Sequence, residues 1–176
     1  MNKSTFWSDA SRGGAIVGLT SIVLSTLGIL FTKMAGMLSF VSVVVVIYLL
    51  FYFTRRRSML YTKEGFTYGQ SLGFIVAMSI FAGIIAGAFQ IVASNWLFTA
   101  HFEETYKVLM STLAQAGISG EEMELTAKMY RSMLFSPMPA LLWSIVGNVI
   151  GYGFYGLFIS IGTKREPDMF DSADEE

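Results

Sequence analysis

Arg55, Arg56 and Arg57 stand side by side, and Lys63 follows within nine residues of the first of them. Guanidinium groups present planar, paired N–H donors that match phosphate oxygens. Each basic group near an anionic surface adds about 1 kcal/mol of attraction. These four residues therefore offer a site for the anionic headgroup of a membrane lipid, with Tyr61, Phe66 and Tyr68 placed to flank it. The competing reading is that the arginines act on orientation alone, halting a membrane span and fixing the side on which it ends.

Other chemistry is sparse. The chain has no cysteine, which removes a disulfide framework, a thiolate metal site and a cysteine nucleophile. His101 is the single histidine, so one chain cannot build a multi-histidine metal centre. Glu103 and Glu104, and Glu121, Glu122 and Glu124, read as solvated helix faces rather than a catalytic acid pair. No P-loop or H-E-x-x-H pattern occurs. "GYGFYG", from Gly151 to Gly156, matches G-x-G-x-x-G formally, but it lies inside an apolar run with no soluble fold around it, so no dinucleotide cofactor is expected. A net charge of −1 offers no general basicity for nucleic acid. The expectation is a chain with no cofactor, no metal and no catalytic constellation of its own.

The elements that hold these residues are set by hydropathy. Of 176 residues, 53% are hydrophobic and 14% charged, against about 25% charged in a soluble domain, and mean hydropathy is +0.56. The composition predicts an all-α integral membrane protein. Charge-free windows long enough to cross a bilayer place four spans at about 13–32, 34–54, 70–96 and 140–162. The first apolar stretch exceeds a signal-peptide core of about 7–15 residues, so it is expected to stay as a helix. The few residues around Lys33 force spans one and two into a tight hairpin. The segment 167–176 is acidic and expected to be disordered.

Orientation follows from the basic residues. Lys3, Arg12, Arg55, Arg56, Arg57, Lys63, Lys164 and Arg165 fall on one side of the membrane; Lys33, Lys107, Lys128 and Arg131 fall on the other. The positive-inside rule then places both termini in the cytoplasm. Residues 101–136 would lie outside as two short amphipathic helices, one with Phe102, Tyr106, Leu109, Met110 and Leu113 along a face, the next with Met123, Ala127, Tyr130 and Leu134. Gly117 is the expected C-cap of the first. Ser119 with Glu122 has the spacing of a capping box for the second. The pair either lies on the bilayer or, through Met110, Met123, Met129 and Met133, forms a groove for an apolar partner.

Within the membrane, small residues recur at four-residue spacing: Gly14 and Gly18, Gly69 and Gly73, Gly83 and Gly87, Gly147 and Gly151. Glycine lets helix backbones approach closely where hydrophobicity cannot drive them together. "GIIAG" and "GNVIG" are the expected tight contact, and Asn148 within the latter is expected to hydrogen-bond across helices. The span cores carry no Asp, Glu, Lys, Arg or His, which proton relays and ion-coupled pumps rely on.

"EGFTYGQSLGF" leading into span three, together with "IGYGFYGLFISIGTKRE" closing span four, resembles domain-of-unknown-function family 4199. That family consists of small four-span membrane proteins of Bacteroidota-type bacteria, and the likeness covers nearly the whole chain. The resemblance carries no established activity and no catalytic residues. It points to lipid-linked glycan assembly, and so to a membrane-associated glycosyltransferase as partner. The reading is a non-enzymatic accessory or scaffold protein for envelope-lipid or glycosyl-transfer machinery. The alternative is a small transporter or channel, a homo-oligomer passing a lipid or neutral solute.

Overall fold

A computed structural model describes residues 3–61 and 64–167. Lys63 and the acidic stretch 168–176 lie outside the described residues. Six α-helices follow one another: α1 (Lys3–Leu30), α2 (Ala35–Ser58), α3 (Tyr68–Val92), α4 (Thr99–Gln115), α5 (Gly120–Phe135) and α6 (Pro137–Thr163). A 3₁₀ turn, Thr32–Met34, joins α1 to α2, and a π-helical turn, Ala93–Leu97, extends α3. Four stretches, Thr5–Leu30, Thr32–Ser58, Tyr68–Leu97 and Pro137–Thr163, are long and apolar enough to cross a membrane.

The first two helices outrun their apolar windows. α1 starts ten residues before the expected edge of span one, and α2 runs through all three arginines. Charge ends a hydrophobic window, but it does not end the i to i−4 hydrogen-bond ladder. α6 begins at Pro137 rather than near residue 140, because the first-turn N–H that proline lacks has no intrahelical partner anyway.

Helix ends explain the joints. Thr67 and Gln70 form a capping box at the start of α3: Gln70 N–H donates to Thr67 Oγ1 (3.2 Å) and Thr67 N–H to Gln70 Oε1 (2.8 Å). α4 ends at Gly117, whose φ of +88° suits glycine. There Ile118 N–H donates to the Leu113 carbonyl and Gly117 N–H to that of Ala114, both at 3.1 Å, the paired bonds of a Schellman motif. The capping box expected at Ser119 is not formed. Gly120 takes φ +63°, which turns the chain between Ser119 and the first helical N–H groups.

α3 is the centre of the bundle, with α1 and α6 packed on it and α2 alongside α1 and α6. A Cβ on Gly14 would strike the Met78 carbonyl oxygen of α3, and one on Gly18 would lie 3.1 Å from that of Ala82. On the α6 side, a Cβ on Gly83 would stand 2.7 Å from the Ile145 Cα, and one on Gly87 3.1 Å from the Leu141 Cα. Gly147 and Gly151 have open space at their Cβ positions, which corrects the expected meeting of "GIIAG" with "GNVIG". α3 instead lands one to two turns earlier on α6, on Leu141, Ser144 and Ile145. Ser144 Oγ donates to the Gly83 carbonyl across this contact at 3.0 Å.

Packing is uneven along the bundle. At the basal end, which carries Arg57 and Arg165, Val17, Leu50, Phe74, Ile75 and Met78 are fully buried. An antiparallel bridge pairs Phe66 with Arg165 there through two backbone bonds of 2.9 and 2.8 Å. Ser71 and Thr163 share a buried hydrogen bond of 2.7 Å. Toward the distal end, which carries Lys33 and α4–α5, no residue of α1 beyond Gly18 is buried, and none of α2 before Val46. α4 and α5 bury no residue outright. They face each other through Tyr106, Leu109, Leu113, Met123, Ala127 and Tyr130, all half-buried. Met129 points away at 48% exposure, so the four methionines do not converge on one groove.

Thr54 Oγ1 and Ser160 Oγ are buried with no hydrogen-bond partner among the described residues. An unsatisfied buried hydroxyl costs about 1–3 kcal/mol, whereas an apolar group of the same shape does not. Thr54→Val and Ser160→Ala are each expected to raise stability by about 1 kcal/mol, seen as a higher Tm in detergent.

Candidate functional site

The three arginines do not converge. Successive residues on an α-helix are turned by about 100°, so each side chain leaves α2 in its own direction. Arg55 is exposed and lies over the Phe51 ring, 5.8 Å from guanidinium carbon to centroid. Arg57 turns inward and is 3% exposed. Its Nη1 donates to Asp9 Oδ2 at 2.6 Å and its Nη2 to Tyr61 Oη at 3.0 Å. The rings of Phe6 and Phe74 lie 5.0 and 5.1 Å from its Cζ. One side chain thus joins α1, α2 and α3. The guanidinium suits such a place because it is weakly hydrated and stacks on aromatic faces while keeping its hydrogen-bonding fork.

Arg56 points between these two directions, into a cavity of about 200 Å³ between α1 and α2. Arg12 of α1 lines the same cavity, as do Asp9, Arg57, Phe53, Leu60 and Phe74. Arg12 and Arg56 are exposed and have no hydrogen bond or ion pair among the described residues. Asp9 and Arg57 neutralise each other, so the cavity carries the charge of two free guanidiniums over an apolar floor of Phe53, Leu60 and Phe74. That combination suits a phosphate bearing an alkyl chain. Of the set expected from sequence, Arg55, Arg56, Arg57 and Lys63, the cavity gathers Arg56 and Arg57. Arg55 does not line it, Arg57 is engaged with Asp9 and Tyr61, and Arg12 lines it from α1. Lys63 lies outside the described residues.

The flanking aromatics have other work. Phe66 is buried and stacks on Tyr61 with centroids 5.4 Å apart. Tyr68 Oη donates to the Leu157 carbonyl at 3.3 Å. None of the three lines the cavity.

The basal cavity thus has its residues in place, and the chain's relatives follow. A family model described as "Protein of unknown function (DUF4199)" matches residues 12–165. The chain belongs to the DUF4199 family. No curated protein and no solved structure matches it. The match takes in Arg12 and Arg56 of this DUF4199 protein, whereas Asp9 lies just ahead of it. Sequence reasoning passed over Asp9 and Phe6 because both precede the first apolar window. The signal was present: Phe6, Asp9, Gly13 and Val17 fall at three- and four-residue intervals, one face of a helix. Asn148 of the DUF4199 chain also departs from expectation. Its Nδ2 donates to the Ser144 carbonyl at 2.8 Å, one turn back on α6, so it forms no bridge to another helix.

Proposed function

We propose that this protein is a non-enzymatic membrane accessory protein that retains a phosphate-bearing lipid at its basal face, for use by a membrane-bound partner. The observation that carries this reading is the pair of guanidiniums, Arg12 and Arg56, that have no partner among the described residues and face one cavity with an apolar floor. Phosphate oxygens would take the guanidinium donors, and the first methylenes of the chain would lie on Phe53 and Leu60. The partner class follows from the bound chemistry: an enzyme acting on lipid phosphates, of which a membrane-associated glycosyltransferase is one. With the basic side placed by the positive-inside rule, the cavity opens to the cytoplasmic leaflet of a bacterial inner membrane.

The test removes the two free charges and leaves the others. Two basic groups at about 1 kcal/mol each give about 2 kcal/mol, a loss of binding on the order of thirtyfold. Arg12→Gln with Arg56→Gln should therefore lower co-purified anionic lipid, polyprenyl phosphate included, by that order in native mass spectrometry. Arg55→Gln should leave it unchanged. Labelling of a Ser111→Cys thiol from the same side in both variants controls for topology. An unchanged lipid profile in the correctly oriented double variant would reduce the arginines to orientation signals.

A further inference from the structure

A second cavity, of about 360 Å³, opens in the distal half between α1, α3 and α6. Its polar lining is Ser21, Ser25, Gln90, Ser144 and Asn148, and Phe102 of α4 lies over it. The volume falls within the range of small-molecule sites. We infer that this cavity binds the uncharged, hydroxyl-bearing headgroup of a neutral lipid.

Depth is the first argument. Asn148 lies eleven residues into α6, about 17 Å along the axis at 1.5 Å per residue. That is near the middle of a hydrocarbon core about 30 Å thick. Polar groups at this depth need partners, because lipid supplies none. Several here lack them among the described residues. Ser25 Oγ and Asn148 Oδ1 make no hydrogen bond, and Gln90 has one long bond, 3.5 Å from Nε2 to the Met133 carbonyl. Three helices thus bring unspent donors and acceptors to one space.

Charge is the second argument. No Asp, Glu, Lys, Arg or His lines the cavity, so a charged headgroup would find no counterion. Hydroxyls and carboxamides both donate and accept, which complements a ligand hydroxyl. The source is the bilayer, because Ile22, Ile29 and Phe89 supply an apolar lining for a chain beside the polar groups. α1 and α6 pack on α3 far more than on each other, which leaves the gap between them. On the basal side the cavity ends at the Ser21–Tyr152 hydrogen bond of 3.1 Å and the filled core below it. The space is a pocket rather than a passage.

The experiment uses the full chain in phosphatidylcholine nanodiscs with two photoreactive probes, a diazirine-bearing diacylglycerol and the phosphatidate with the same chains. Crosslinked peptides are mapped by mass spectrometry. Diacylglycerol should label Ile22, Ala86 and Phe89, and phosphatidate should not. Ala86→Trp, which fills the space, and Asn148→Leu should each cut that labelling at least about tenfold. Ser25→Ala, on a half-open surface, gives a severalfold loss in a variant whose fold is undisturbed. Equal labelling by both probes would mean ordinary boundary lipid and overturn the inference. So would no labelling at these residues, or displacement of the probe by free glycerol. Labelling of the distal cavity is independent of Arg12 and Arg56, so the R12Q/R56Q variant keeps it whichever way the basal reading falls.

Discussion

Arg57→Leu is expected to lower the unfolding free energy by about 3 kcal/mol, while Arg55→Leu changes it by less than about 0.5 kcal/mol. The two residues stand two apart in the chain, and a rotation of about 200° around the helix separates their fates. Arg57 is buried, bonded to Asp9 and Tyr61, and enclosed by the rings of Phe6 and Phe74. Arg55 is exposed. Asp9 is 38% exposed in its side chain, so water can solvate it once its partner is gone. That places the loss at the lower end of the 3–5 kcal/mol typical of a broken buried pair. Asp9→Asn keeps an acceptor but strands the buried Arg57 charge, so it should cost at least as much, about 3 kcal/mol or more. A double-mutant cycle in detergent, read by thermal unfolding, isolates the pair. If Arg57→Leu proves as mild as Arg55→Leu, the inward placement of Arg57 is wrong.

Gly83→Leu should be at least as damaging, at about 3 kcal/mol or more, the upper end for overpacking. The new side chain meets the Ile145 backbone at the level of its Cβ, 2.7 Å from the Cα. Backbone cannot swing aside as a side-chain tip can, so α3 and α6 must separate along their whole contact. The Ser144–Gly83 hydrogen bond would go with it. Even Gly83→Ala should cost about 1–2 kcal/mol. Gly151→Ala is the counterpart: its Cβ meets open space, and alanine favours the helix by about 0.5–1 kcal/mol. Opposite shifts in Tm for the two alanine variants would place the partner of Gly83 at Leu141–Ile145 of α6 rather than at Gly151. Equal losses would restore Gly151 to it.

Much of the fold was legible because spans are written in the absence of charge. Windows between Arg12, Lys33 and Arg55 located α1 and α2, and the facing stripes of α4 and α5 followed the 3.6-residue period. Gly117 was readable because a helix end demands a positive φ that glycine supplies. The helix partners were not readable. Gly83 and Gly151 sit in equally good four-residue patterns, and only the axial offset of α3 on α6 decides which of them is pressed. Thr67–Gln70 carried the T-x-x-Q signal of a capping box, while Ser119–Glu122 carried the same signal and lost it to Gly120. The arginine site was half legible. A cluster in sequence suggests a cluster in space, but helical rotation disperses neighbours, and Arg12, 44 residues before Arg56 in the chain, lines the same cavity.

The uneven packing has a mechanical meaning. Arg57 and the fully buried layer around it clamp α1 and α2 at the basal end, while beyond Gly18 and before Val46 neither helix has a buried residue. Closed at its tip by Thr32–Met34, the hairpin is built like one lever with its fulcrum at the basal end. From Asp9 to Leu30 the arm of α1 is about 31 Å long, so a tilt of about 5° at the fulcrum carries its tip sideways by about 3 Å. Substitutions at the clamp should therefore alter the distance of the hairpin tip from α3 and α6 without touching any residue there, and the distal cavity, lined by α1, α3 and α6, widens or narrows with it.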